Sequence, residues 1–136
     1  MTTLLLDTCA CIWLGDGARM RPTALSAIAT ALETQSAHVS PFTAWEMSLL
    51  ASRGRLNFTR EVGAWFETLV SKRGFVLAPL PVSVLIAAHT LPGSPPNDPA
   101  DRILIATARE FGHAIVTRDH RILDYGVAGL VQTVPC

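Results

Sequence analysis

Thr3-Leu4-Leu5-Leu6-Asp7-Thr8 decides how the rest of the chain is read. Thr3–Leu6 is a short, continuous apolar run with no polar alternation. That is the pattern of a strand covered on both faces, as in parallel sheets. Asp7 then closes the run, and Thr8 to Leu14 has the composition of a helix. The same grammar recurs downstream. Ala37-His38-Val39-Ser40, Phe75–Ala78, Ala114–Thr117 and Leu130–Val134 read as further strands.

Helices fill the intervals. Gly15-Asp16-Gly17 is expected to break the first one, and Pro22 to open the next, which runs to about Thr34. Ser40 suits an N-cap with Pro41 at the first helical position, and Gly54 stops that helix after Arg53. Phe58 to Arg73 is helical up to Gly74, and Pro81 to His89 is a short helix. Leu91 to Asn97 is a Pro-rich loop. Asp98 caps a helix with Pro99 at its first position, running to Phe111 and stopped by Gly112. A short helical turn is expected near Arg121–Leu123. Strands alternating with helices give an α/β fold with a mostly parallel sheet of about five strands flanked by helices. With no internal repeat and no linker-like stretch, residues 1–136 read as a single domain.

Composition removes several classes of function. Eleven basic residues balance 11 acidic ones, so net charge gives no footprint of a general nucleic-acid binder. Lys72 is the only lysine among the basic residues. Arginine forks suit phosphate, but buried ion pairs also favour arginine, and a codon bias gives the same count. Cys9, Cys11 and Cys136 are odd in number and lack a C-x-x-C spacing, which fits a reducing cytoplasm better than a disulfide framework. No basic segment precedes Leu4–Leu6 to make a signal peptide. Phe75 to Ala88, the longest apolar stretch, is interrupted by prolines and is shorter than the ~20 residues a membrane span needs. His38, His89, His113 and His120 have no zinc spacing with Cys9 or Cys11, and there is no Gly-rich phosphate loop. An aspartyl phosphatase wants a second Asp two residues after Asp7, where this chain has Cys9.

Four acids, Asp7, Glu46, Asp101 and Asp119, fall where strands end and helices begin. In parallel α/β sheets that edge is where ligands bind. Each acid also has an ordinary reading. Asp7 suits an N-cap, and so does Asp119. Asp101 would be the third residue of its helix, where the dipole and the capping box favour an acid. For Glu46 the ordinary reading is an ion pair with Arg53. On a wheel started at Phe42, Trp45, Leu49 and Leu50 fall at about 300°, about 340° and about 80°, and Glu46 at about 40°, inside that apolar arc. A carboxylate there needs a partner or a metal. Each pair of carboxylates at ~4 Å costs about 1 kcal/mol in water and about 4 at an effective dielectric of 20, so a divalent cation is the usual reason to gather them.

Leu4-Leu5-Leu6-Asp7-Thr8, Ser40-Pro41-Phe42-Thr43-Ala44-Trp45-Glu46, Asp98-Pro99-Ala100-Asp101-Arg102-Ile103-Leu104-Ile105-Ala106 and Val116-Thr117-Arg118-Asp119 together resemble the signature of PIN-domain nucleases. The resemblance is strongest to the VapC toxins of bacterial toxin–antitoxin modules. It implies a compact PIN-like α/β fold and an endoribonuclease dependent on Mg²⁺ or Mn²⁺, with Asp7, Glu46, Asp101 and Asp119 as its catalytic, metal-binding quartet. It also implies Asp98 as an accessory acid, with Thr8 and Thr117 as hydroxyls bonding around the carboxylates. Two departures bear on substrate contacts: Pro96-Asn97 stands where relatives often carry a His two residues before the position of Asp98, and Ala100 where they often have a bulky aromatic.

All-oxygen ligands suit these hard cations. Arg102 and Arg118, beside the acids, are placed to hold an RNA backbone, or to make ordinary surface ion pairs. The implied partners are an RNA substrate, a cognate VapB-like antitoxin and a second copy of the chain in a homodimer, with no membrane. Two competing functions are a housekeeping PIN nuclease without an antitoxin and a non-cleaving PIN-like scaffold. Trp13, Trp45, Trp65 and Phe66 are read as core residues by default.

Overall fold

The computed structural model describes residues 2–54 and 61–136. Its centre is β1 (Thr3–Leu6), with β2 (Ala37–Val39) and β3 (Phe75–Leu77) on one side and β4 (His113–Thr117) and β5 (Gln132–Pro135) on the other. Every pairing is parallel, in the order β3-β2-β1-β4-β5. The expected α/β architecture holds, with a sheet parallel throughout rather than mostly so.

The reason is visible in β1. Leu5 and Leu6 are fully buried. Leu4 and Leu6 join Val39 and Val116 on one face, under α1 (Thr8–Asp16), α2 (Pro22–Glu33) and α4 (Val62–Ser71). Leu5 and Ile115 face the other way, against α6 (Pro99–Phe111) and α7 (His120–Val127). Each such leucine contributes about 1.5–3 kcal/mol by leaving water. Two more helices, α3 (Pro41–Ser52) and α5 (Val82–Ala87), complete the layers, α5 packing Val84 and Ala88 against Ile103 and Ala106 of α6.

The helix starts follow the sequence grammar. Asp7, Ser40, Asp98 and Asp119 each cap a helix through the side chain, and Pro22, Pro41 and Pro99 stand in first turns. Several boundaries differ from expectation. Helix α1 runs through Gly15, where an added Cβ would stand 2.5 Å from the Trp65 ring. That glycine is a packing residue, and Gly17, at φ 71°, is the actual stop. Helix α7 extends to Val127, held by burial of Ile122 and Tyr125. Strand β5 is shifted to end at Pro135. The expected start of the fourth helix at Phe58 lies outside the described residues.

The chain leaves β1 toward β2 and β3, then returns to build β4 and β5 on the opposite side. The order therefore reverses between β1 and β4. Loops leaving those two strands diverge, opening a crevice beyond their carboxyl ends.

Candidate metal centre

Asp7 follows β1 directly and Asp119 lies two residues past β4, so both stand at that crevice. Glu46 comes from the second turn of α3 and Asp101 from the first turn of α6. All four acids, with Asp98, line one cleft of about 380 Å³. Thr8, Cys9, Trp13, Leu50, Leu104, Arg118 and Arg121 complete its walls.

Each acid has a distinct setting. Asp7 caps α1, accepting from the Ala10 N–H at 2.7 Å, while its other oxygen accepts the Thr117 hydroxyl at 2.5 Å. The Thr117 oxygen in turn accepts the Asp119 N–H at 3.0 Å, so one hydroxyl ties the ends of β1 and β4 together. Glu46 accepts the Thr8 hydroxyl at 2.5 Å rather than pairing with Arg53. Asp98 takes the capping role at α6, accepting from Asp101 N–H at 3.2 Å. Asp101 is left with its Oδ2 buried and without a hydrogen-bond partner. Asp119 caps α7 and receives the Arg121 guanidinium on both oxygens, at 2.9 and 3.2 Å.

Residues 4–128 match the PIN-domain family. This chain belongs to it. It is 38% identical to the Mycobacterium tuberculosis protein Ribonuclease VapC22 over 124 residues, 90% of this chain and 91% of that protein. Its fold is like that of a chain in the crystal structure of FitAcB from Neisseria gonorrhoeae, with a TM-score of 0.55, 20% identity and 96% of each chain covered. It is similarly like a chain in the structure of FitAB bound to the IR36 DNA fragment, with a TM-score of 0.54, 22% identity, and 98% and 94% covered.

Burial sets the electrostatics of this PIN cleft. Removal from water pushes the Asp7 and Glu46 carboxyls above their ordinary range, against the pull of the hydroxyls they accept. Asp101 is pushed up to about 7, first by burial and then by the charges of Asp98 and Asp119. Asp119 is held low by the Arg121 hydrogen bonds. At these three acids burial outweighs the hydrogen bonds and nearby arginines that favour the charged form.

The donor set fits a hard divalent cation. It is all oxygen, burial raises three of its four acids, and Asp101 Oδ2 is an acceptor without a hydrogen bond in the wall. Among the described residues, no three of His, Cys, Asp or Glu already converge on one point. Thr8 and Thr117 hold Glu46 and Asp7, and Arg121 holds Asp119, so the carboxylates have to turn inward to share an ion.

The two arginines singled out in the sequence part company. Arg118 lines the cleft, stacked 3.9 Å from the centre of the Trp13 ring and donating to the Cys136 and Arg19 carbonyls at 3.0 Å each. Arg102 donates to the Ala88 carbonyl at 3.1 Å. The residue the sequence reading passed over is Arg121, whose link to Asp119 and Asp101 needs α7 to begin where it does. Its position two residues after a capping acid was the available signal. On α3, Thr43 and Met47 are the buried residues, and Trp45 is 56% exposed, stacked on Phe42 rather than in the core.

Proposed function

We propose that this PIN-domain protein is a divalent-metal-dependent endoribonuclease acting as the toxin of a toxin–antitoxin pair. The observation that carries the metal reading is the buried Asp101 Oδ2, without a hydrogen bond, in a cleft walled by four further carboxylates. The choice of RNA rests on the 38% identity to a protein named as a ribonuclease.

Asp7, Glu46, Asp101 and Asp119 are the residues that would hold Mg²⁺ or Mn²⁺. The ion supplies a polarised water and positive charge against the phosphate. Thr117 and Thr8 each orient a carboxylate, those of Asp7 and Glu46, through one oxygen. Asp98 keeps the first turn of α6 in place beneath Asp101. Arg118, immobilised by two carbonyls and an aromatic ring, offers a fixed cation to a neighbouring phosphate of the RNA.

An antitoxin segment bearing an arginine would complement this acidic cleft. Homodimerisation is supported by apolar side chains left on the surface of α5 and near it, with Leu77, Val82 and Ile86 all largely exposed. No described helix is long and apolar enough to cross a membrane. We place the protein in the cytoplasm, in keeping with its three free cysteines.

The test is to incubate purified protein with RNA and Mn²⁺ and sequence the fragment ends, beside an Asp7→Asn control. Recurrent ends absent from the control are expected. Equal cleavage by the variant refutes the assignment. Expression of this chain alone should arrest growth, and normal growth would count against toxicity.

A further inference from the structure

Three arginines stand next to the carboxylates in sequence or in the cleft, and they are anchored differently. Arg102 is committed to the Ala88 carbonyl. Arg118 is committed to two carbonyls and the Trp13 ring. Arg121 has its described side-chain partners among the acids alone. Its fork takes both oxygens of Asp119, at 2.9 and 3.2 Å, and stands 3.6 Å from Asp101 Oδ2, beyond a hydrogen bond. Its side chain is 64% exposed, so it lies on the rim with water behind it.

This geometry makes Arg121 and a divalent ion competitors. Hard cations bind carboxylate oxygens at about 2.1–2.6 Å, closer than any guanidinium, and carry twice its charge. An ion drawing on Asp119 and Asp101 would face the Arg121 charge across a few ångströms of cleft. No carbonyl or ring holds Arg121 there, in contrast to Arg118. The guanidinium is the group that yields. Once off Asp119 it stays tethered at the first turn of α7, at the cleft mouth, as a planar fork suited to phosphate.

We propose that Arg121 is a releasable counter-ion: its fork holds Asp119 and faces Asp101 until metal loading expels it to the cleft mouth, where it grips the RNA backbone. This rests on the metal-dependent nuclease reading and adds to it a residue that couples ion to substrate. Such coupling is reciprocal, so the ion tightens RNA binding and RNA tightens ion binding by the same factor. Water alone leaves Asp119 paired with Arg121, and the joint presence of ion and RNA gives Asp119 a cation and Arg121 an anion.

The experiment measures two affinities of the whole chain. Mn²⁺ binding is followed by loss of the free-ion paramagnetic resonance signal. Binding of a labelled oligoribonucleotide is followed by stopped-flow anisotropy ahead of cleavage, with and without Mn²⁺. Arg121→Gln should bind Mn²⁺ tighter by about fivefold or more, and should lose most of the gain in RNA affinity that Mn²⁺ gives the wild type. Arg121→Lys keeps the charge without the fork and should also bind Mn²⁺ more tightly than wild type. Unchanged or weaker Mn²⁺ binding by Arg121→Gln overturns the proposal. So does an RNA-affinity loss that is equal with and without Mn²⁺, or an Arg121→Lys variant indistinguishable from wild type. Asp7→Asn separates the two readings. If it binds Mn²⁺ as the wild type does, the metal centre itself falls; if it loses Mn²⁺ while the Arg121 variants change nothing, only the counter-ion role falls.

Discussion

Asp101 Oδ2 beyond the carboxyl edge of the sheet and His113 Nε2 at its amino edge are the two buried side-chain polar atoms without a hydrogen-bond partner among the described residues. At the amino edge His113 stacks on His38, with ring centres 4.3 Å apart, and its Nδ1 lies 2.5 Å from the Thr3 hydroxyl. Burial, and then the His38 charge, hold His113 down to about 4, so it sits neutral and its orphaned nitrogen is a modest cost. Asp101 has no comparable escape. To be uncharged near neutrality it must keep a proton, and to be charged it needs a cation. The same defect is therefore inert at one end of the sheet and an invitation to a metal at the other.

The largest effects should fall only at the acidic end. Asp101→Asn and Asp7→Asn should each lower metal-dependent cleavage by about 10²–10³, the scale of removing one charge-stabilising group from an active site. Both should remain folded by circular dichroism. His113→Phe should leave cleavage unchanged; a comparable loss there would erase the contrast.

Next come the hydroxyls that serve each end. Thr117→Val frees Asp7 Oδ2 and should cost about 10–100-fold in activity or metal affinity, as loss of groups orienting metal ligands does. Thr3→Val removes the partner of His113 and should cost about 1 kcal/mol in a denaturant titration, with activity intact.

The smallest effect is one of pH, and its signs oppose. Asp101 rises from 3.8 to about 7 on folding, so the folded chain binds a proton that the unfolded chain has lost. Its contribution to metal-free stability is present below pH 3.8 and is lost as pH rises toward 7. His113 falls from 6.5 to about 4, so there the unfolded chain binds the extra proton. Stability from His113 is present above pH 6.5 and is lost as pH falls toward 4. The wild type should thus show a flattened profile between pH 4 and 6.5. Asp101→Asn should expose the acid-side loss and His113→Phe the loss on the alkaline side. Melting temperatures across that range that do not separate the two variants would contradict the assignment.

The two ends were unequally legible in the sequence. Asp7 and Asp119 stood out because each terminates an apolar run, and strand ends place themselves once the sheet is parallel. Asp101 was legible as a helix-start residue, but not as an orphan, since that depends on Asp98 taking the capping bond. The histidine pair was invisible. It arises from register, with His38 beside Leu5 and His113 beside Thr3 on one face. Glu46 was placed in the cleft by a sound argument resting on the wrong face of α3: the wheel shows where apolar residues cluster, not which side meets the sheet. Thr43 and Met47 are buried, leaving Trp45 outside. Arg121 carries a local signal, its place two residues after the capping Asp119, but its approach to Asp101 depends on the tertiary placement of α7.

Strand β5, at the border of the sheet, ends in Pro135. Cys136 N–H donates inward to the Thr117 carbonyl, so by alternation Pro135 is the residue turned outward. It has no N–H to offer a passing strand. The opposite border, β3, is only three residues long. Neither margin is a good template for another chain's strand, which guards a sheet of continuous apolar runs against stacking into aggregates.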